Sequence, residues 1–188
     1  MTESQPPVFA PSNRGPRTRW QRIRAYQLLW IIGICLFALD RLTKFWVVSA
    51  IPFNPYHDHD GIQDIVVIPD FFYFIHVGNT GAAWSILSGK STLLALLALG
   101  ALLGIFLYRR SLGLHVRAGQ ISFGLLCGGI VGNLLDRVRY GHVVDFIDFH
   151  FGSYIYPTFN IADCGICIGV VLYLWHSWRN PGPPPRRH

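Results

Sequence analysis

Charge is what this sequence has least of. Asp, Glu, Lys and Arg make up 14% of its 188 residues, against about 25% in an ordinary soluble domain, while 51% are hydrophobic. That deficit points to lipid as the solvent for much of the chain. Also absent are any internal repeat and any G-x-G-x-x-G, P-loop or H-E-x-x-H pattern, which removes the motif-borne dinucleotide, nucleotide and zinc-protease readings. Cysteine is sparse: Cys35, Cys127, Cys164 and Cys167 all fall inside apolar runs, where a thiol behaves as a small buried hydrophobe. Cys164-Gly-Ile-Cys167 is formally a C-x-x-C, open to a redox or metal role, but no second such pair and no neighbouring histidine pair completes a zinc site. Basic residues are in excess, with a net charge of +6, yet they do not form the stripe that a nucleic-acid footprint needs. Five arginines lie between Arg14 and Arg24, and Arg179, Arg186 and Arg187 lie at the far end. This distribution is a membrane-topology signal, and no nucleic acid is expected as a partner.

Residues 1–24 place Pro6, Pro7, Pro11 and Pro16 among polar and basic residues, too little apolar surface to order a fold, and read as a disordered basic cytoplasmic tail. The apolar run from Ala25 to Leu39 leads into Asp40, Arg41 and Lys44 rather than a small-residue cleavage site, so it reads as an uncleaved first span. Ser91 to Tyr108 carries no charge over 18 residues, about 27 Å of helix and close to the hydrocarbon thickness of a bilayer. From Gly119 to Leu135, Gly124, Gly128 and Gly132 recur every fourth residue, a smooth stripe for close helix contact, and Ile161 to Trp178 repeats the spacing with Gly165 and Gly169. The expected architecture is an all-α membrane fold of four transmembrane helices, about 26–48, 90–108, 119–137 and 161–178. They form one membrane-embedded domain over 25–178, followed by a basic, proline-rich cytoplasmic tail at 179–188.

Short cytoplasmic loops retain lysine and arginine. The N-terminal tail, the loop with Arg109, Arg110 and Arg117, and the C-terminus carry them, whereas residues 50–80 carry none, so both termini are expected in the cytoplasm. Residues 51–78 and 139–160 then lie outside. Within the first, Ile65 to Val77 is rich in β-branched and aromatic residues and predicts the strands of a small extracytoplasmic sheet at the outer leaflet.

A charged side chain costs at least about 2.5 to 3.5 kcal/mol at the centre of a membrane helix, so charges near spans are functional candidates. They are Asp40, Arg41, Lys44, Asp136, Arg137, Asp145, Asp148 and Asp163. Asn133, Asp136 and Arg137 share one helical face, either bracing a site or ending the helix as an interfacial charge pair. Gly141 should break that helix, and Val143 to Phe149 then reads as a short amphipathic interfacial segment with Asp145 and Asp148 on one face, facing either a site or water. Asn160 and Asp163 sit three apart at the start of the fourth span, where an acid can equally be a cap. If Asp145 and Asp163 meet beside lipid, desolvation and mutual repulsion make them share a proton. The ionised partner can then deprotonate a water while the other donates to a carbonyl, the division of labour of aspartic proteases. Asp40 and Lys44, at i, i+4, are placed to pair or both to face the site, although Lys44 can also snorkel to headgroups. Asn79-Thr-Gly81-Ala-Ala-Trp84 is a turn whose small residues permit close approach. His57-Asp-His-Asp60, among Pro52, Pro55 and Gly61, reads as a solvated loop rather than a metal cluster.

Taken in order, Asp40-Arg-Leu-Thr-Lys44, Asn79-Thr-Gly-Ala-Ala-Trp84, Gly132-Asn-Leu-Leu-Asp-Arg137, Val143-Val-Asp-Phe146 and Phe159-Asn-Ile-Ala-Asp163 resemble the lipoprotein signal peptidase (signal peptidase II) family over residues 26 to about 178. The resemblance implies a multi-pass enzyme of the bacterial cytoplasmic membrane, with four helices, an outer β-cradle and an active site at the outer leaflet. It implies an aspartic endopeptidase that cleaves diacylglyceryl-modified prolipoproteins on the amino-terminal side of the modified cysteine, with no cofactor and no metal. It assigns Asp145 and Asp163 as the catalytic pair, with Asp40, Lys44, Asn79, Gly81, Asn133, Asp136, Arg137 and Asn160 as supporting or substrate-contacting positions. Expected partners are these substrates and membrane lipids, and the expected state is a monomer. Trp84, where the family usually has phenylalanine, and Cys164, directly after Asp163, are departures. No lipobox surrounds Cys35, and both tails lie outside the resemblance. Two rival readings are a metal-dependent membrane hydrolase built on His142, Asp145, His150 and Asp163, and a proton-coupled transporter. The second lacks acids in the middle of spans two and three.

Overall fold

The computed structural model describes residues 23–54 and 64–180; the expected tails, apart from Ile23, Arg24, Arg179 and Asn180, and the His57–Asp60 loop lie outside the described residues. Four long helices follow the four apolar stretches: α1 (Gln27–Ala50), α2 (Ser91–Leu107), α3 (Arg117–Tyr140) and α4 (Ile161–Arg179). Among them, α3 and α4 are long and apolar enough to cross a membrane, and α2 is apolar but shorter, at 17 residues. α1 has 24 residues and carries Asp40, Arg41 and Lys44 in its second half. The structure is therefore mostly helical, with two helices rather than four meeting the criteria for a span on length and composition.

α3 is the central helix, packed along α1 and α4 and, less extensively, α2. The glycine stripe makes this possible. A Cβ at Gly128 would meet the backbone of Gly33 on α1, one at Gly129 would meet the Ala162 carbonyl on α4, and one at Gly132 would lie 2.6 Å from Asp40 Oδ2. α2 buries no residue, and Leu96, Leu97, Leu103 and Phe106 are exposed along it.

A four-stranded antiparallel sheet in the order β1-β2-β3-β4 sits at one end of the bundle, formed by Ile65–Ile68, Phe72–Asn79, Val143–Phe151 and Tyr154–Ile155. β3 corrects the expectation of an interfacial amphipathic segment. Gly141, at φ 76°, caps α3 and turns the chain, and Val143 to Phe151 then pairs with β2 on one edge and with β4 and Phe159 on the other. Residues Val143 to Phe146 are all buried, so no alternation of polarity marks the strand in the sequence. As neighbours three apart on a strand, Asp145 and Asp148 point to opposite faces, not to one. Val47 and Ile51 at the end of α1 join Val144 and Phe146 in a core that seats the sheet on the helices.

The β2–β3 register contains a bulge. Phe74 pairs with Ile147 but Val77 pairs with Asp145, so Ile75 and His76 together face Phe146. Asn79, paired with Val143, consequently shares a face with Asp145.

Candidate active site

Four acids near the junction of helices and sheet, three of them buried and Asp163 partly so, fall into two classes. Asp40 and Asp136, both 0% exposed, are neutralised by cations. Arg41 reaches Asp40 Oδ2 and Asp136 Oδ1 at 2.6 Å each, and Lys44 Nζ reaches Asp40 Oδ1 at 3.1 Å and Asp136 Oδ2 at 2.7 Å. Two cations thus match two anions. The remaining acceptor capacity joins elements: Asp40 Oδ1 accepts from Ala162 N at the start of α4, and Asp136 Oδ2 from Val144 N on β3. The cluster locks α1, α3, α4 and β3 together, which removal of either charge would undo. Lys44 is 3% exposed and does not snorkel, and Asp136 does more than end a helix.

Asp145 and Asp163 form the second class. Among the described residues neither is within ion-pair distance of a cation; both are held by neutral amides. Asn79 Nδ2 donates to Asp145 Oδ2 at 3.0 Å and Asn160 Nδ2 to Asp145 Oδ1 at 2.6 Å. Asn133 Nδ2 donates to Asp163 Oδ1 at 2.7 Å, and the Asn160 backbone N–H to Asp163 Oδ2 at 3.2 Å. In return Asp163 N donates to Asn160 Oδ1, so Asn160 and Asp163 form a capping box at the start of α4. The cap and the site are therefore the same structure. Asn133 Oδ1 accepts from Lys44 Nζ at 2.9 Å, which orients its amide nitrogen towards Asp163 and couples the ion cluster to the acid pair.

Asp145 lies on β3, 2% exposed. Burial pushes its carboxyl up to about 7, the negative charge of Asp163 adds to the rise, and the Asn79 and Asn160 amides oppose it. A buried carboxyl with that value can hold or release a proton near neutrality.

Around this pair, Gly81 is buried, its N–H bonded to Asn79 Oδ1 and its carbonyl to Arg137 Nη2 at 3.0 Å. Among the described residues, the buried Arg137 Nε has no hydrogen-bond partner. All ten expected site positions thus fall in one connected network. Arg41, a charge near the first span outside those ten positions, also belongs to the network, because it pairs with both Asp40 and Asp136. The signal was a count, since Asp40, Asp136 and Lys44 leave one charge unmatched.

The four side chains of the metal reading are not gathered. His150 Nε2 pairs with Asp148 at 2.6 Å, and His142 lies against Phe53 and Tyr140. No group of three or more candidate metal ligands occurs among the described residues. Asp148, fully buried, accepts from Thr158 Oγ1 and belongs to the far end of the sheet.

A family model described as signal peptidase (SPase) II matches residues 32–179. A lipoprotein signal peptidase of Nostoc punctiforme is 40% identical over 156 residues, covering 81% of this chain and 90% of the relative. One of Syntrophotalea carbinolica is 32% identical over 163 residues, covering 85% and 96%. Among solved structures, one described as a bacterial membrane enzyme superposes with a TM-score of 0.72 at 29% identity, covering 86% of this chain and 94% of that one. A second, described likewise, gives 0.67 at 31% identity, covering 80% and 92%.

Proposed function

The chain belongs to the signal peptidase II family, and from that premise we propose that it removes signal peptides from prolipoproteins with water activated between Asp145 and Asp163. The observation that carries the mechanism is that, among the described residues, Asp145 and Asp163 accept hydrogen bonds from amides with no cation in ion-pair contact, while Asp40 and Asp136 beside them are ion-paired. Two adjacent carboxylates with no cation in ion-pair contact retain one proton between them at neutral pH. The ionised member takes a proton from the water as its oxygen attacks the scissile carbonyl carbon, and the protonated member donates to the carbonyl oxygen. Collapse of the tetrahedral adduct breaks the C–N bond, with the proton passing to the leaving amine. The products are the signal peptide's new carboxyl terminus and the free amine of the diacylglyceryl-modified cysteine.

In this reading Asn79, Asn133 and Asn160 orient the acid pair, Asp40, Lys44 and Asp136 brace it, and Gly81 and Arg137 receive the substrate backbone. The partnerless Nε–H of Arg137 is a donor suited to a peptide carbonyl. We propose further that all four helices span the membrane of a bacterial cell as one domain over 25–178, with the termini in the cytoplasm and the sheet at the outer leaflet. The exposed leucines of α2 support a lipid-facing position, and the ion-paired polar end of α1 lies beside the sheet, where the interface would be. A monomer suffices, because the pair and its supports come from one chain.

The test is cleavage of a diacylglyceryl-modified precursor by purified parent, Asp145→Asn and Asp163→Asn proteins, each with and without a chelator. Folded but inactive variants and a chelator-indifferent parent are expected. Near-parent cleavage by either variant would overturn the assignment, and loss of parent activity with chelator would move it to metal chemistry.

A further inference from the structure

His76 belongs to none of the site motifs, yet the geometry ties it to the acid pair. It is one of the two residues in the β2 bulge, with Ile75. Side chains alternate along a strand, so inserting one residue reverses the face of everything after it. Were the register of Phe72, Tyr73 and Phe74 continued without the bulge, His76 would stand opposite Asp145 and Asn79 would point to the other face. The hydrogen bond from Asn79 to Asp145 at 3.0 Å therefore exists because of the bulge.

His76 is where the bulge is fastened. It is 7% exposed, and its Nδ1 lies 3.0 Å from the carbonyl oxygen of Ile51, an acceptor, so Nδ1 carries the proton. Its own carbonyl accepts from Asn54 N at 2.8 Å, and its ring meets Phe53 edge-on with centroids 5.2 Å apart. Residues 51–54 are the exit of α1, the helix whose Lys44 reaches into the site. The bulge is thus pinned to the same helix that holds the ion cluster.

We propose that His76 is a positioning residue for the aspartate pair: by anchoring the β2 bulge to the end of α1, it sets Asn79 on the face of Asp145. The proposal rests on the reading of Asp145 and Asp163 as the catalytic pair. Groups acting on Asp145 are Asn79 from β2, Lys44 from α1, Arg137 from α3, and Asn160 and Asp163 at the start of α4. Of these, His76 governs Asn79, whose donation favours the ionised carboxylate. His142 is the titratable neighbour of His76 itself.

The experiment measures kcat/KM against pH for the full chain in detergent, with a diacylglyceryl-modified precursor, for His76→Phe, His76→Asn, Asn79→Ala and the double variant His76→Phe/Asn79→Ala. Phenylalanine keeps the ring contact and loses the donor; asparagine keeps a donor near the Nδ1 position and removes the ring. His76→Phe and Asn79→Ala are each expected to lower kcat/KM by about tenfold, the scale of a lost charge-assisted hydrogen bond, and to move the acid limb to higher pH by the same amount. The double variant should match either single one, and His76→Asn should keep the limb of the parent. An unmoved limb in His76→Phe, even with lower thermal stability, or full additivity in the double variant, would overturn the proposal by reducing His76 to a structural residue. Failure of the underlying reading is separate and visible, since Asp145→Asn and Asp163→Asn would then stay active.

Discussion

The side-chain amide of Asn160 donates to Asp145 Oδ1 at 2.6 Å, while the backbone N–H of the same residue donates to Asp163. A strand and a helix, separated in the chain by β4, are thereby joined at the residue that caps the helix. The acid pair inherits its spacing from helix capping, a local and strongly directional interaction. Four consequences can be measured.

The charge state of Asp145 should be visible in stability. Its folded pKa is raised to about 7 by burial, above an unfolded value of about 3.9. A group raised in this way contributes stability that is fully present below the unfolded value and lost as pH rises through the folded one. Asp145→Asn keeps the neutral form at every pH, so its unfolding temperature relative to the parent should improve from pH 5 to about pH 7, as the folded carboxyl ionises, and then level off up to pH 8.5. A constant difference across that range would mean that Asp145 ionises as it does in water.

Lys44 is the buried cation shared by Asp40, Asp136 and Asn133. Lys44→Met leaves two buried carboxylates with Arg41 alone and should destabilise the protein by about 3 to 5 kcal/mol. Thermal unfolding in detergent, with precursor cleavage alongside, checks it. Parent-like unfolding would return Lys44 to a merely interfacial role.

Gly132 and Gly100 make a matched pair. A methyl at Gly132 would sit 2.6 Å from Asp40 Oδ2, whereas none of the described residues lies within 4 Å at Gly100 on the exposed face of α2. Gly132→Ala should lower both stability and activity through the ion cluster. Gly100→Ala should leave activity unchanged and stabilise α2 by about 0.5 to 1 kcal/mol. Equal effects would show that α1 and α3 are not packed at this closeness.

The proposed orientation can be read by labelling. A cysteine at Gly89, between the sheet and α2, should react with an impermeant maleimide in intact cells. One at Ser111, between α2 and α3, should react only after permeabilisation. The reverse pattern would invert the topology.

Much of the fold was legible because its signals are local. Apolar runs marked the four helices, the four-residue glycine spacing marked the contact face of α3, and β-branched and aromatic residues marked β2. The site residues were legible one at a time, since each polar group near a span stands out against its energetic cost. What failed was β3: buried across consecutive positions, it shows no alternation, and helical spacing put Asp145 and Asp148 on one face when the strand puts them on two. Arg41's place in the site is not legible in the sequence, because its second partner, Asp136, is 95 residues away.

The sequence by itself determined that the chain suits lipid, where its helices run, which acids need an explanation and, through five ordered motifs, which family it belongs to. Tertiary structure alone decided how those acids divide. Among the described residues, Asp40 and Asp136 pair with cations while Asp145 and Asp163 are hydrogen-bonded by amides, and the β2 bulge turns Asn79 towards Asp145. The physical reason is that protonation and reactivity depend on distance in a low-dielectric interior, and those distances are set by strand register and helix packing between residues remote in the chain.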